Sequence, residues 1–189
     1  MIRDWTKPIV GTGLHYGETD ASDPHLDVFD CGDGEHAEEI AEFFRERGWR
    51  EGNRFNLPPT DCFQFGTATE IVGYMAIIEQ EKRYPRFNSH GRRIYLLISR
   101  IGIGRAFQGL RDPDGYDTYG KEIFGELRRI AAERNLAGLY LSVRETNARA
   151  RRCYESAGFK QDGPEYPSPL VPGNPILVRY RLELEVTAT

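Results

Sequence analysis

The chain has 189 residues, of which 39% are hydrophobic and 29% charged, and its formal net charge at pH 7 is -4. This length fits one domain with a buried core, and the 12% of aromatic residues argue against a disordered chain. No segment is apolar for long enough to act as a signal peptide or membrane span, and the three cysteines follow no zinc-ligand spacing. We therefore expect a single domain over residues 1–189, in the reducing cytoplasm and without a metal.

The hydrophobic pattern predicts helices and strands in one mixed domain. In chain order, the predicted elements are helix 35–49, strands 61–66, 71–79 and 93–103, helix 116–135, strand 139–143, helix 147–157 and strand 176–186. Five prolines between the last helix and the last strand predict an extended, stiff loop. This order of elements predicts an α/β or α+β sheet flanked by helices.

Charge is distributed unevenly along the chain. Residues 18–51 contain twelve acidic and three basic side chains, whereas residues 82–111 contain eight lysines or arginines and no acid. Such a separation indicates one cationic and one anionic partner, or else two solvated faces without a ligand.

Residues 147–159 (NARARRCYESAGF) carry the first chemical motif. Asn147 can cap the predicted helix, and the hydroxyl of Tyr154, two turns later, can project from the helix end unless this tyrosine is simply a core aromatic residue. The spacing of Asn, Ala, Tyr and Gly-Phe resembles the C-terminal signature of the GNAT superfamily of N-acetyltransferases. The resemblance implies that Tyr154 is the general acid that protonates the departing CoA thiolate, and that Asn147 reaches the pantetheine arm.

Residues 100–109 (RIGIGRAFQG) resemble the central motif of the same family, an apolar strand followed by an aromatic-Gln-Gly sequence and a glycine-rich turn. In that family the strand binds the pantetheine arm through its backbone, and the turn lays N–H groups around the pyrophosphate at a helix N-terminus. Such groups bind an anion without a specific side chain. The residues thereby implied to bind acetyl-CoA are Ile101, Gly102, Ile103, Gln108 and Gly109.

An insertion over residues 110–117 separates the two halves of this turn, and its DPDG sequence predicts a hairpin-like loop. If Gly120 is the last glycine of the motif, Thr118 stands where the family usually has a glycine and can cap the next helix. The resemblance then adds Thr118 and Gly120 to the residues that bind acetyl-CoA. The insertion also brings three acids that must point away from the phosphates: Asp112, Asp114 and Asp117.

The two motifs follow each other in the family's order, and the resemblance spans roughly residues 61–159. It implies a GNAT-like mixed, mostly antiparallel sheet with a splayed central parallel strand pair, flanked by helices. It also implies an acyl-CoA-dependent N-acyltransferase that moves an acetyl group from its cosubstrate acetyl-CoA to a primary amine. An inactive binding module of the same fold is the non-enzymatic alternative, and the threonine at position 118 favours it.

The acceptor stays open between two classes. The acidic residues 18–51 favour a small cationic amine or a protein amine. In contrast, FDCGD at 29–33, GYMAI at 73–77 and LLISRIGI at 96–103 resemble the toxin branch of the family, whose members acetylate the amino acid on charged tRNA and pair with an antitoxin protein. A pI near 5.7 argues against nucleic acid as a partner.

The remaining partners are less well defined by the sequence. We expect no membrane contact, and a homodimer stays open. The candidate general bases are Glu79, Glu81 and His90, each of which can equally be an ordinary surface residue.

Overall fold

A computed structural model describes residues 7–9, 11–33, 35–50, 61–80, 94–112, 115, 117–168 and 173–184. Within these ranges the helices are α1 (Glu35–Arg45), α2 (Tyr119–Glu133) and α3 (Ala148–Ser156). The strands are β1 (Lys7–Pro8), β2 (His15–Glu18), β3 (Asp61–Gly66), β4 (Ile71–Gln80), β5 (Tyr95–Ile103), β6 (Gly138–Arg144), β7 (Lys160–Gln161), β8 (Tyr166–Pro167) and β9 (Ile176–Glu183). Every predicted helix and strand is present; β3 has the predicted ends, and the other elements are shifted at one or both ends.

The chain folds into two compact units, and β4, β5 and α2 contribute residues to both. The first unit, Met1–Ile77 with Arg100–Ile123, has the strand order β1-β2-β3-β4-β5 and antiparallel pairing from β1 to β4. The second unit, Ile78–Ser99 with Phe124–Thr189, has the order β5-β6-β9-β7, with β8 also paired to β9. The parallel pair joins β5 and β6, and the other pairs of this unit are antiparallel. The predicted mixed, mostly antiparallel fold class is therefore confirmed.

An aromatic cluster forms the core of the first unit, where α1 packs on the sheet. The fully buried ring of Phe44 lies 5.6 Å from Tyr74 of β4 and 5.8 Å from Phe29. Phe29 in turn meets Tyr74 edge-on at 4.7 Å. Each such pair contributes about 0.5–1.5 kcal/mol beyond the burial of its area. The cluster therefore holds the segment that contains Phe29 against β4.

The end of α1 differs from the prediction, which placed it at Gly48. The N–H of Gly48 donates to the carbonyl of Phe43 at 2.9 Å, and that of Arg47 donates to Phe44 at 3.1 Å. These are the two bonds of a Schellman ending, and the residue in the left-handed conformation is Arg47, at φ 55°. Gly48 is required for another reason, because a Cβ there would lie 2.7 Å from the Phe43 ring. The helix consequently ends earlier than the glycine suggested.

A second aromatic cluster forms the core of the second unit. The ring of Phe124 from α2 lies 5.6 Å from that of Tyr154 in α3 and 5.3 Å from that of Phe159. Tyr180 of β9 completes the cluster at 6.0 Å from Tyr154. In β9 the buried residues alternate with more exposed ones, as the sequence predicted for a half-buried strand. This packing fixes the face of α3 that carries Tyr154.

Two of the candidate general bases, Glu81 and His90, lie outside the described residues, as does the side chain of Glu79. Among the residues that the structure describes, no helix is both long and apolar enough to cross a membrane. The same residues contain no group of three or more histidine, cysteine, aspartate or glutamate side chains arranged to hold a metal ion.

The close approach of β4 and β5 depends on Gly73, and this can be tested by stability. A Cβ at Gly73 would lie 2.3 Å from the carbonyl oxygen of Gly102. We expect Gly73→Ala to lower the free energy of unfolding in urea by about 1–3 kcal/mol, because the backbone must shift. The matched control is Gly125→Ala in α2, where nothing lies within 4 Å of the added Cβ. This control should raise stability by up to about 1 kcal/mol. Equal stability of Gly73→Ala and the unchanged protein would contradict the close approach.

Candidate functional site

The turn that follows β5 is held by its backbone. The N–H of Gly104 donates to the carbonyl of Val72 at 2.8 Å, and the N–H of Arg105 donates to the carbonyl of Asp30 at 2.9 Å. Gly109 then takes φ 76°, a left-handed conformation that glycine adopts without strain. The glycine expected at the start of the pyrophosphate loop is therefore required by the shape of the turn.

The side chain of Gln108 connects this turn to the segment around Cys31. Its side-chain amide donates to the carbonyl of Cys31 at 2.5 Å and to that of Ile103 at 2.8 Å. The amide is thus occupied by the protein itself. Gln108 was predicted as a ligand-binding residue, and the structure gives its side chain a role in joining residues 31 and 103.

Arg105 joins the same two segments by charge. Its Nε lies 3.0 Å from Oδ2 of Asp30, and its Nη2 lies 2.5 Å from Oδ1 of Asp33. The hydrogen bond to Asp33 and the charge of both carboxylates raise the pKa of the guanidinium. The acidic stretch 18–51 and the acid-free stretch 82–111 therefore meet at these ion pairs, where their opposite charges offset each other. Sequence reasoning missed this pairing, because no local pattern links residues 72 positions apart.

The residues of β5 that were predicted to bind acetyl-CoA are Ile101, Gly102 and Ile103. Gly102 allows the segment around Cys31 to lie directly against the strand. A Cβ at Gly102 would lie 2.8 Å from Sγ of Cys31 and 3.0 Å from side-chain atoms of Phe29 and Ile40. The Cys31 thiol is buried there, and this desolvation raises its pKa to about 12. A thiol that stays protonated at neutral pH is a packing group and not a nucleophile.

The described residues of the insertion close on one another at its base, as a hairpin-like loop would. The N–H of Asp112 donates to the carbonyl of Asp117 at 3.0 Å, and the N–H of Gly115 donates to the carbonyl of Asp112 at 3.2 Å. Arg111 and Thr118 form an antiparallel bridge at its base. Because the loop closes on itself, α2 begins at Tyr119 and not at residue 116.

Asp112 anchors the insertion to the N-terminal strands. Its side chain is buried, and its Oδ2 accepts the N–H of Gly13 at 2.8 Å. This carboxylate therefore ties the inserted loop to the turn at residues 11–13. The second inserted acid, Asp114, lies outside the described residues.

Asp117, the third inserted acid, behaves differently. Its carboxylate accepts the N–H of Thr118 at 2.8 Å and the ammonium group of Lys121 at 3.1 Å. The hydrogen bond from Thr118, followed by that from Lys121, lowers the pKa of Asp117, and the charge of Arg111 adds to the effect. The carboxylate of Asp117 therefore bonds to the start of the helix. It lies at the beginning of α2 with the positive groups of that end around it.

The beginning of α2 also carries free backbone donors. The N–H of Tyr119 donates to the carbonyl of Leu110 at 3.3 Å. The next two N–H groups, of Gly120 and Lys121, belong to the first helical turn and have no acceptor within the helix. Together with the helix dipole, they can bind an anion such as a phosphate. Thr118 and Gly120, both predicted to bind the cosubstrate, lie on either side of the first helical residue.

In the second unit, Asn147 caps α3 as predicted. Its side-chain oxygen accepts the N–H of Ala150 at 3.1 Å, one of the donors that a helix start leaves unsatisfied. The capping oxygen is thus committed to the helix. The amide nitrogen of Asn147 is the part of this side chain that a ligand could still contact.

Tyr154, in the second turn of α3, is the candidate proton donor. Only 8% of the residue is exposed, since its ring packs between Phe124 and Phe159. Burial, with a smaller effect from Cys153, raises the pKa of the phenol well above its ordinary value. A tyrosine phenol with its ordinary pKa near 10 is already protonated at neutral pH, so a proton is present for general-acid catalysis.

The predicted site residues divide between the two units. The first unit holds Ile101, Gly102, Ile103, Gln108, Gly109, Thr118 and Gly120. The second holds Asn147 and Tyr154. Lys121 was not among the predicted residues, although a lysine in the first turn of a helix that follows a glycine turn is a recognisable pattern.

A comparison with models of protein families identifies the family of the chain. The model of the acetyltransferase (GNAT) family matches residues 27–159, which is more than half of the sequence. The chain belongs to the GNAT family. This confirms the family expected from the two motifs, and with it the enzyme class, an acyl-CoA-dependent N-acyltransferase. No curated protein matches the sequence.

Solved structures share the GNAT fold at low identity. A candidate streptothricin acetyltransferase from Bacillus anthracis str. Ames, in complex with acetyl coenzyme A, is 19% identical with a TM-score of 0.50, covering 69% of this chain and 65% of that one. The ribosomal-protein-S18-alanine N-acetyltransferase from Escherichia coli is 16% identical with a TM-score of 0.54, covering 93% and 96%. A mutant of the toxin AtaT, bound to the C-terminus of the antitoxin AtaR and acetyl-CoA, is 16% identical with a TM-score of 0.53, covering 89% and 93%. These proteins have different names and roles, so the shared fold does not select an acceptor.

Proposed function

We propose that this protein transfers the acetyl group of acetyl-CoA to a primary amine, with Tyr154 as the general acid. The observation that carries the proposal is the buried side chain of Tyr154 on α3 in a chain of the GNAT family. Membership of the family supplies the reaction class. The phenol supplies the group that the leaving thiolate needs.

The reaction is a direct transfer without a covalent enzyme intermediate. The amine nitrogen attacks the thioester carbonyl carbon, the new C–N bond forms, and the C–S bond breaks. The Tyr154 hydroxyl gives its proton to the departing sulfur, while the amine loses one proton to a base or to water. The phenol regains its proton from solvent before the next turnover. A positioned general acid contributes about 10²–10⁴-fold to the rate of such a step.

The beginning of α2 supports the binding of the CoA pyrophosphate. The N–H groups of Gly120 and Lys121 are available there, and the left-handed Gly109 shapes the preceding turn. Backbone groups of Ile101–Ile103 and the amide nitrogen of Asn147 would hold the pantetheine arm, as the family resemblance implies. Asp117 already accepts the donors of Thr118 and Lys121, so it competes with a phosphate for the same end of the helix.

The acidic first third of the chain supports a cationic acceptor, such as a polyamine, an aminoglycoside or a lysine side chain of a protein. Some of these acids are offset by nearby arginines, namely Asp27 by Arg47, Asp30 and Asp33 by Arg105, and Glu38 by Arg45. These paired carboxylates are exposed, and the segment has twelve acids against three bases, so its net charge stays negative and a charge reversal within it still changes the attraction. Aminoacyl-tRNA is the alternative acceptor. Because it is an anion, acidic residues should weaken its binding instead of strengthening it.

Replacing Tyr154 by phenylalanine tests the general acid. We expect Tyr154→Phe to lower kcat by about a hundredfold or more, because the thiolate leaves unprotonated, while the affinity for acetyl-CoA by calorimetry stays nearly the same. In the unchanged protein, burial holds the pKa of this phenol above its ordinary value of about 10. Loss of kcat through Tyr154 should therefore begin only above pH 10. An unchanged rate in Tyr154→Phe would show that another group protonates the sulfur.

Replacing Asp117 tests the phosphate end of α2. We expect Asp117→Asn to bind CoA about two- to fivefold more tightly, since one charge near a helix terminus is worth about 0.3–1 kcal/mol. The control is Asp27→Asn, which removes an exposed carboxylate paired with Arg47 and changes the net charge equally. This control should leave the dissociation constant unchanged in calorimetry. Weaker binding by Asp117→Asn would instead mean that Asp117 orders the turn for the ligand.

The acceptor is tested by thiol release from acetyl-CoA with spermidine, kanamycin, a lysine peptide and charged tRNA. For a cationic acceptor, we expect Glu38→Lys to raise its KM about two- to fivefold without changing the KM for acetyl-CoA. The matched control is Glu133→Lys, another exposed helical glutamate that pairs with an arginine.

The direction of the change in the acceptor KM separates a cationic acceptor from charged tRNA. With charged tRNA as the acceptor, Glu38→Lys should lower the KM, and binding should weaken steeply as salt rises. Release of no thiol above the acceptor-free rate with any acceptor, together with retained CoA binding, would favour the inactive binding module.

A further inference from the structure

The buried hydroxyl of Tyr180 in β9 forms hydrogen bonds with α3, the helix that carries Tyr154. Tyr180 of β9 has no exposed surface, and its hydroxyl donates to Oε1 of Glu155 at 2.6 Å. The hydroxyl oxygen of Tyr180 in turn accepts a hydrogen bond from Nε of Arg151 at 3.2 Å. A single strand residue therefore binds two side chains of α3, one on each side of Tyr154 in the sequence.

The ring of Tyr180 also packs directly against that of Tyr154. The two ring centroids are 6.0 Å apart and the rings are tilted by 55°. Tyr180 thus contacts Tyr154 through its ring and holds the surrounding helix through its hydroxyl. Both contacts constrain where the phenol of Tyr154 lies.

The position of α3 needs such constraints. The helix has nine residues, and helices shorter than about 12–15 residues are marginal without tertiary contacts. Arg151 adds a further tie, because its Nη1 donates to the carbonyl of Glu145, just after β6, at 3.2 Å. Arg151 and Glu155 both reach solvent, so they can be hydrated if the Tyr180 hydroxyl is removed. The hydroxyl is therefore more important for position than for folding.

We propose that Tyr180 is a positioning residue for acetyl transfer, which acts by holding the Tyr154 phenol at the place where it meets the leaving sulfur. This inference rests on the proposed general-acid role of Tyr154. Proton transfer requires an approach of about 2.6–3.2 Å between the heavy atoms. A misplacement of about 1 Å can cost up to a hundredfold in rate.

The first test removes the hydroxyl and keeps the ring. We expect Tyr180→Phe to lower kcat about tenfold, with the KM for acetyl-CoA unchanged within about twofold, using the amine that gives the highest rate in the acceptor panel. If no amine is turned over, the rate of acetyl-CoA hydrolysis replaces kcat. The matched control is Tyr95→Phe, because the Tyr95 hydroxyl also donates to a glutamate, Glu183, at 2.9 Å. This control should keep the rate of the unchanged protein, and thermal unfolding checks that both variants are folded.

The second test is a double-mutant cycle, which separates positioning from a general structural role. If Tyr180 acts through Tyr154, then Tyr180→Phe has no further effect on kcat once Tyr154→Phe is present. Independent, multiplying losses of rate would overturn the inference. The conservative change Glu155→Gln keeps an acceptor for the Tyr180 hydroxyl and should retain most of the rate, whereas Glu155→Ala should resemble Tyr180→Phe.

The outcomes also separate this inference from the proposed function. If Tyr154→Phe keeps the full rate, the general-acid role is wrong, and the positioning role of Tyr180 is wrong with it. If Tyr154→Phe is slow and Tyr180→Phe is as fast as the unchanged protein, only the positioning role is wrong. A slow Tyr180→Phe, with no added effect in the double variant, supports both.

Discussion

The absence of a side chain at Gly102 allows the segment around Cys31 to lie on β5, and the rest of the first unit depends on this contact. A Cβ at Gly102 would lie 2.8 Å from the Cys31 sulfur. With the segment in place, Gln108 can reach the Cys31 carbonyl, and Arg105 can pair with Asp30. The turn that begins the proposed pyrophosphate site is therefore shaped by a segment more than 70 residues away in the sequence.

Cosubstrate binding and proton transfer, the two parts of the proposed reaction, depend on different kinds of interaction. In the first unit, backbone donors and charge determine the properties of the start of α2, where Asp117 lies close to Lys121. In the second unit, aromatic packing determines the properties of Tyr154, because burial raises the pKa of its phenol. Salt should therefore affect the binding of the phosphates much more than the transfer of the proton.

Local signals in the sequence were sufficient for much of the fold and for part of the site. Asn147 and Gly158 mark the ends of α3, and each works within a few residues of its own position. The strands β1, β2, β7 and β8 have two to four residues each, too few for a periodic pattern, and they were missed. The partners of Arg105 were also not predictable, because they depend on which segments meet after folding.

The bond between Asp112 and the N–H of Gly13 connects the N-terminal strands to the inserted loop that precedes the proposed phosphate site. A substitution in the turn at residues 11–13 touches no predicted site residue, so in a survey of variants it would be classed as neutral. A change that removes the Gly13 N–H, such as Gly13→Pro, would nevertheless take this donor from a buried carboxylate at the base of the inserted loop, whose other end leads into α2. Sequence drift in this turn and in the loop should therefore be correlated, and hybrids that take the two from different proteins should lose affinity for acetyl-CoA.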